Sequence, residues 1–306
     1  MKPAAPSVHV LTGATAVGKT EAALRWARAA GAEILSCDSL LFYRGMDVGT
    51  AKPAAEERSR VPHHLIDILP VAEPMDVSRY ARLAREAADE IAARGRQILV
   101  VGGSGFYLKC FFGPVADGIE VPPRIRAEVE LRLREAGLPA AVEDLRRLNP
   151  DGLGEVDPSN PRRVARALER CLASGRGLAA LAADFARQPA PFAGWNVKLV
   201  ELGRPPEEVE RRIAARTRAM LAAGLVDEVK RLLGQGLRGN PSAARAIGYR
   251  EVLAHLDGRL SAADLERTIV QSTRALVKKQ RTWFRTQLQP HASIPADSEP
   301  PSGWFG

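Results

Sequence analysis

Residues 8–27 read VHVLTGATAVGKTEAALRWA. An apolar run is followed by a loop bracketed by Gly13 and Gly18, and then by a helix-forming stretch. The loop Gly13-Ala14-Thr15-Ala16-Val17-Gly18-Lys19-Thr20 fits G-x-x-x-x-G-K-[ST], the phosphate-cradling P-loop. Its backbone amides and the helix start favour a polyphosphate. Lys19 supplies positive charge, and the Thr20 hydroxyl is placed to reach a bound Mg²⁺. ATP is the first candidate for such a loop; the rest of the chain bears on that choice.

Outward from this loop, strands and helices alternate. Val8–Thr12 reads as a strand, Thr20–Ala30 as a helix stopped by Gly31, Glu33–Ser36 as a strand, Leu65–Leu69 as a possible third strand, Val77–Ala93 as a long amphipathic helix and Gln97–Val101 as a buried strand. That order predicts an α/β P-loop core with a parallel sheet. Residues 114–196 are Arg-rich, helical in pattern and broken by prolines, which predicts an inserted helical subdomain. A strand at Asn196–Leu202 returns the chain to the core, followed by helices over Pro206–Gly234 with a break at Gly224, Ala243–Leu256 and Ala262–Leu288. The core is therefore expected from 1–113 and 197–289, with a helical C-terminal extension. The Pro/Ser-rich 290–306 is expected to be a flexible tail.

A nucleoside triphosphatase adds an apolar strand ending in Asp to hold its metal. Here Gln97–Val101 runs into Gly102-Gly103-Ser104, without a carboxylate. The carboxylate stands instead at Asp38, after the second strand, where ligands bind in a doubly wound sheet. The loop thus grips a diphosphate or triphosphate without the usual equipment for hydrolysis.

The 306 residues are 45% hydrophobic and 26% charged, as in ordinary globular proteins. No stretch approaches the ~18 apolar residues that span a bilayer. Cys37, Cys110 and Cys171 are far apart, which argues against a zinc site or a disulfide scaffold and suits a cytoplasmic protein. The net charge of +8 is compatible with nucleic acid, anionic lipid or phosphorylated substrates, and equally with an Arg-rich proteome. Placement is more informative. Arg274, Lys278, Arg281 and Arg285 fall on one face of the last helix with no acidic i±4 partner, which favours phosphate contact. Leu265, Ile269, Leu276 and Trp283-Phe284 fall on its packing side. His63-His64 reads as loop packing near the site, Asp47 and Asp67 as structural or loop-orienting, and Trp26, Trp195 and Trp283 as core or partly buried aromatics.

The segment CDSLLFYRGMDVGTAKP (37–53) is too polar and Gly-rich for a regular element, and loops of that length are usually functional. It resembles the D-S-x-x-x-Y-x-G-M-D-I-G-T-A-K-P segment of bacterial tRNA dimethylallyltransferases. VPHHLIDI (61–68), LVVGGSGFYLKCF (99–111), NPRRVARALE (160–169), RRIAARTRAMLAAGLVDEV (211–229), ARAIGYREVL (244–253) and TRALVKKQRTWFR (273–285) resemble that family's blocks in the same order.

The resemblance implies transfer of a dimethylallyl group from its diphosphate to the exocyclic amine of the adenosine 3′-adjacent to the anticodon. The P-loop would then hold the diphosphate, with Mg²⁺, and ATP becomes the weaker candidate. It implies catalytic roles for Asp38 and Arg216. Asp38 would be the general base for the amine, or a metal-linked carboxylate. Contact with the tRNA anticodon stem-loop is implied for Asp38, Ser39, Leu40 and Leu41, for Ser104 (where the family has Thr), for Arg126, and for the segment Arg162, Arg163, Val164, Ala165 and Arg166; the basic face of the last helix, with Arg274, Lys278 and Arg281, is expected to bind tRNA on the strength of its spacing. The chain departs from the family at Ala14 (usually Pro), Leu41 (often Gln or a similar polar group) and Arg162 (usually Gln). A monomer is expected. The rival readings are a small-molecule P-loop kinase, a prenyl transferase for free adenine nucleotides, and a non-catalytic RNA-binding module.

Overall fold

A computed structural model describes residues 5–298 and 303–305. They form two compact units: the chain up to Phe112 together with the chain from Pro191, and Gly113–Ala190.

The first unit is built on six parallel strands: β1 (Ser7–Thr12), β2 (Ala32–Ser36), β3 (His63–His64), β4 (Gln97–Val101), β5 (Asn196–Gly203) and β6 (Ala292–Pro295), in the order β3-β2-β4-β1-β5-β6. The central strands are largely apolar, as suits strands covered on both faces. Val8, Val10, Leu11, Leu35, Leu99, Val100 and Val200 are fully buried. The helices between strands are α1 (Lys19–Ala30), α2 (Ala55–Arg60), α3 (Val77–Ala93) and the single turn α4 (Gly105–Leu108). α1 ends at Gly31, whose φ of 63° closes the turn in the left-handed conformation that suits glycine.

Register places the functional loops. Ser36 of β2 and Leu11 of β1 both pair with Val101 of β4. Because the strands are parallel, the residues that follow emerge at one edge: Gly13 after β1, Cys37-Asp38 after β2 and Gly102-Gly103-Ser104 after β4. Close packing ties them together. The Thr12 hydroxyl donates to the Gly102 carbonyl at 2.9 Å, and the Cys37 amide to the Val101 carbonyl at 2.8 Å. Gly102 must be glycine, since a Cβ there would lie 2.1 Å from the Cys37 carbonyl oxygen.

The second unit contains α5 (Pro123–Arg147), which breaks at Gly137, α6 (Pro161–Ser174) and α7 (Leu178–Arg187). Its own core includes Val129, Ala141, Leu145, Val164, Leu168 and Cys171. The Asn149 side chain, buried, accepts the Leu178 amide and donates to the Leu145 carbonyl at 2.7 Å.

The first unit closes with α8 (Pro206–Ala222), α9 (Leu225–Leu233), α10 (Pro241–Ala244), α11 (Tyr249–Leu256) and α12 (Ala262–Gln287). The expected break stands at Gly224, which is left-handed at φ 90°.

Four expectations need correction. The third strand lies at His63–His64, because Leu65 and Asp67 adopt left-handed φ of 61° and 57° and cannot continue an extended run; Leu69 makes only a single bridge, to Tyr43. The helix expected over Ala243–Leu256 is two, interrupted at Gly248 (φ 91°). Residues 191–196, expected in the insert, sit in the first unit: Phe192 stacks on Phe111 at 4.5 Å, and Arg85 lies 5.1 Å from the Trp195 ring centre while donating to the Pro191 carbonyl. The described part of the tail is ordered. β6 extends the sheet, and Trp304 and Phe305 are buried, with Phe305 edge-on to Trp26 at 5.0 Å. Its aromatic end buries apolar area that outweighs a locally weak sequence. Residues 299–302 and 306 lie outside the described residues.

Candidate active site

The P-loop runs from β1 into α1. Gly13 has φ 147° and Gly18 φ 100°, so both ends of the loop use backbone conformations that favour glycine. Ala16 also turns left-handed, at φ 68°. Neighbours hold the loop's backbone. Lys19 Nζ donates to the Gly13 and Ala14 carbonyls at 2.8 and 2.9 Å. Arg212 Nε donates to the Ala16 carbonyl at 2.8 Å, and Arg204 Nε to that of Val17 at 3.0 Å. Gln280 of α12 accepts the Thr15 amide at 2.8 Å and donates to the Gly103 carbonyl at 3.0 Å, clasping the loops after β1 and β4. With its carbonyls engaged, the loop is fixed in shape.

Lys19 keeps some exposed surface, but its ammonium is enclosed, and that burial lowers it to about 8. The nearby Asp38 charge opposes the shift and that of Arg216 adds to it. Arg216, on α8, is likewise lowered by burial, with Asp38 opposing and Arg212 reinforcing. Asp38 therefore faces two buried cations. Its Oδ1 accepts the Leu40 amide at 3.0 Å, a local turn that fixes the carboxylate two residues past β2. Cys37 beside it is buried and its thiol is pushed up to about 12, which keeps it protonated and unreactive.

Asp38 and Arg216 open onto a cavity of about 670 Å³. Thr15 and Ala16 line it from the P-loop, Asp38, Ser39 and Leu40 from the loop after β2, Ser104 from the loop after β4, Phe106 from α4, Arg216 from α8, and Leu276, Gln280 and Trp283 from α12. The cavity is large enough for a drug-sized ligand and mixes apolar walls with a few polar groups.

The residues expected from sequence fall into three groups. Thr15, Ala16, Asp38, Ser39, Leu40, Ser104 and Arg216 converge on the cavity. Thr20 is exposed on the first turn of α1, and the Leu41 carbonyl accepts the Asp67 amide, tying that residue to its own loop. In the second unit, Arg126, Arg162, Arg163 and Arg166 are exposed, whereas Val164 is fully buried and contributes to that unit's core, so its side chain is not a contact surface.

On α12, Arg274, Lys278, Arg281 and Arg285 are exposed along one groove beside α8. Arg274 is not unpaired, because Glu210 of α8 approaches it at 3.5 Å; the sequence spacing within one helix could not reveal an acid on its neighbour. The buried face of α12 carries Leu265, Ile269, Val277 and Phe284, while Leu276 and Trp283 turn to the cavity. His64 pairs with Glu33 at the sheet edge. Asp47 and Asp67 both pair with Lys52.

Sequence reasoning missed Arg204, Arg212, Gln280, Glu228 and Tyr249. Arg212 lies in the quoted block RRIAARTR, but only the fold brings it to a carbonyl 196 positions away.

The comparison with known proteins bears on this arrangement. Residues 41–287 match the model of the IPP transferase family. The chain belongs to that family. A tRNA dimethylallyltransferase of Opitutus terrae is 67% identical over 95% of this chain and 94% of its own length. One from Deinococcus radiodurans is 42% identical over 97% and 95%. Among solved structures, the full-length tRNA isopentenylpyrophosphate transferase of Bacillus halodurans is 32% identical, with a TM-score of 0.66 over 95% of this chain and 90% of its own. A eukaryotic dimethylallyltransferase acting on tRNA, 24% identical, shares the fold with a TM-score of 0.79, covering 95% of this chain and 74% of its own. This IPP transferase is thus a prenyl-transferring enzyme on a parallel P-loop sheet. No helix among the described residues is long and apolar enough to cross a membrane.

Proposed function

We propose that this IPP transferase moves a dimethylallyl group from dimethylallyl diphosphate to the exocyclic amine of the adenosine 3′-adjacent to the anticodon of tRNA, as a cytoplasmic monomer. The observation that carries the chemistry is the juxtaposition of Asp38 with the cations Lys19 and Arg216, beside a cavity that Asp38 and Arg216 line. The names of the relatives supply tRNA and the dimethylallyl group.

The reaction forms a C–N bond from the adenine amine to the allylic carbon and breaks that carbon's bond to oxygen, whose electron pair leaves with diphosphate. Negative charge grows on the leaving group, so fixed cations and amides facing it lower the barrier. Lys19 exchanges the Gly13 and Ala14 carbonyls for diphosphate oxygens, Arg216 reaches the same group, and the loop from Gly13 to Thr20 supplies amides. Burial weakens the Lys19 proton affinity, and a bound anion would oppose that effect. Asp38 accepts the amine's proton as the new bond forms.

Mg²⁺ neutralises diphosphate charge when bound. The exposed Thr20 hydroxyl, a hard-oxygen ligand on the first turn of α1, would be the residue that holds it.

The target base must leave its stack to enter a cavity of this depth. Ser39, Leu40 and Ser104 line that cavity. Arg126, Arg162, Arg163 and Arg166 of the helical unit engage tRNA phosphates, and so do Arg274, Lys278 and Arg281 of α12.

The test incubates purified protein with labelled dimethylallyl diphosphate and either unmodified tRNA or AMP, while following ATP hydrolysis. Label in tRNA alone is the expected result. Label in AMP would turn the reading to free nucleotides, and acceptor-independent ATP hydrolysis would overturn it.

A further inference from the structure

Glu228 on the first turn of α9 is a buried carboxylate, 2% exposed, that takes no part in the chemistry above. It collects four hydrogen bonds. Oε2 accepts the amides of Asp47 and Val48 at 2.9 and 2.7 Å. Oε1 accepts the Gly49 amide at 3.1 Å and the Tyr249 hydroxyl at 2.6 Å. Three successive amides converging on one carboxylate form the kind of concave nest that elsewhere binds a free anion. Here a side chain of the protein fills it, 179 to 181 positions along the chain.

The nest has a consequence at the next residue. The Thr50 carbonyl accepts Arg216 Nη2 at 2.9 Å, and Thr50 and Arg216 both line the cavity. The segment is held on every side. Ala51 is left-handed at φ 49°, the Thr50 hydroxyl donates to the Met46 carbonyl at 2.7 Å, and the buried Lys52 ammonium binds Asp47 at 2.7 Å and the Tyr43 carbonyl at 2.9 Å. Gly49 packs flat on Tyr249, where a Cβ would lie 2.6 Å from the ring. Burial and the adjacent Glu228 keep the Tyr249 hydroxyl protonated, so it remains a donor.

We propose that Glu228 is a positioning residue for Arg216: by gathering the amides of residues 47–49 it sets the Thr50 carbonyl, which aims the guanidinium at the diphosphate. This rests on the reading above only in assigning Arg216 to the diphosphate. A charge-assisted set of four bonds to one buried acid is stiff, and losing its charge leaves amides without a matched acceptor. Arg216 would then keep its charge but lose its orientation.

The test is a double-mutant cycle read by calorimetric binding of inorganic diphosphate with Mg²⁺. Wild type, Glu228→Gln, Arg216→Gln and the double variant are compared. Arg216→Gln is expected to weaken binding about tenfold, and Glu228→Gln about fivefold. The double variant is expected to bind like Arg216→Gln alone, because the two residues act through one contact. tRNA affinity is expected to stay at the wild-type value in Glu228→Gln, a result that general loss of structure would not give.

If the two losses multiply in the double variant, or Glu228→Gln binds diphosphate as wild type does, the positioning role is wrong. A parallel loss of tRNA affinity would also overturn it in favour of a general structural role. Unchanged binding in Arg216→Gln would sink both this inference and the assignment of Arg216, whereas multiplied losses with an Arg216 effect would sink this inference alone. Should Glu228→Gln fail to fold, Tyr249→Phe replaces it in the cycle; it removes one donor, with an expected twofold weakening that again disappears in the Arg216→Gln background.

Discussion

Gln280 and Thr15 are joined by a 2.8 Å hydrogen bond across 265 positions of chain. The same Gln280 side chain donates to Gly103, so one residue of the last helix fixes both loops that form the cavity floor. Replacing it by Ala removes both bonds, and each is worth about 1 kcal/mol. Gln280→Ala is expected to lower stability by about 2 kcal/mol in urea denaturation and to weaken diphosphate binding. An unchanged midpoint would show that the clasp contributes nothing.

Lys19 gives a pH signature. Burial lowers its ammonium to about 8, against an ordinary 10.5. Between these values the unfolded chain binds more protons than the folded one, so stability rises with pH from about 8 to about 10.5 and the destabilising burial of charge is felt below that window. Diphosphate affinity should move oppositely, falling above pH 8 as the loop's cation is lost. Lys19→Met should abolish turnover, remove Lys19's contribution to the stability slope and leave tRNA binding intact; titrations of both proteins over this range check all three.

Asp38→Asn keeps size and most hydrogen bonding but cannot accept a proton. Turnover should drop by roughly 10²- to 10⁴-fold. The KM for tRNA should change little, because the lost interaction belongs to the transition state. Steady-state kinetics at low and high Mg²⁺ separate the alternatives: rescue by Mg²⁺ with weakened diphosphate binding would make Asp38 a metal-linked carboxylate, and near-normal turnover would remove it from the chemistry.

The exposed cations of α12 should bind phosphates. Charge reversal in Lys278→Glu with Arg281→Glu is expected to reduce tRNA affinity and flatten its dependence on salt, since fewer counterions are released. Filter binding from low to moderate salt measures both. Wild-type affinity in this double variant would leave the face merely solvated. Arg274 is the weaker choice for such a test, because Glu210 already stands beside it.

The sequence by itself determined the parts whose cause is local. Hydrophobic periodicity and Gly punctuation placed α3 at Val77–Ala93, β4 at Gln97–Val101 and the break at Gly224. The P-loop declared itself by spacing alone, and Asp38 by its place just past a strand. Only the tertiary structure decided what the loops are fastened to. Arg212 meets the Ala16 carbonyl, Gln280 the Thr15 amide and Glu228 the Gly49 amide across 196, 265 and 179 positions, and no periodicity couples residues at that distance. The tail shows the same limit. Its polar, Pro-rich composition predicts fraying, yet β6 finds a free edge beside β5, and Phe305 finds Trp26 and His9. Local propensity is worth tenths of a kcal/mol per residue, whereas one buried aromatic side chain is worth about 2 kcal/mol, so packing against a distant partner prevails.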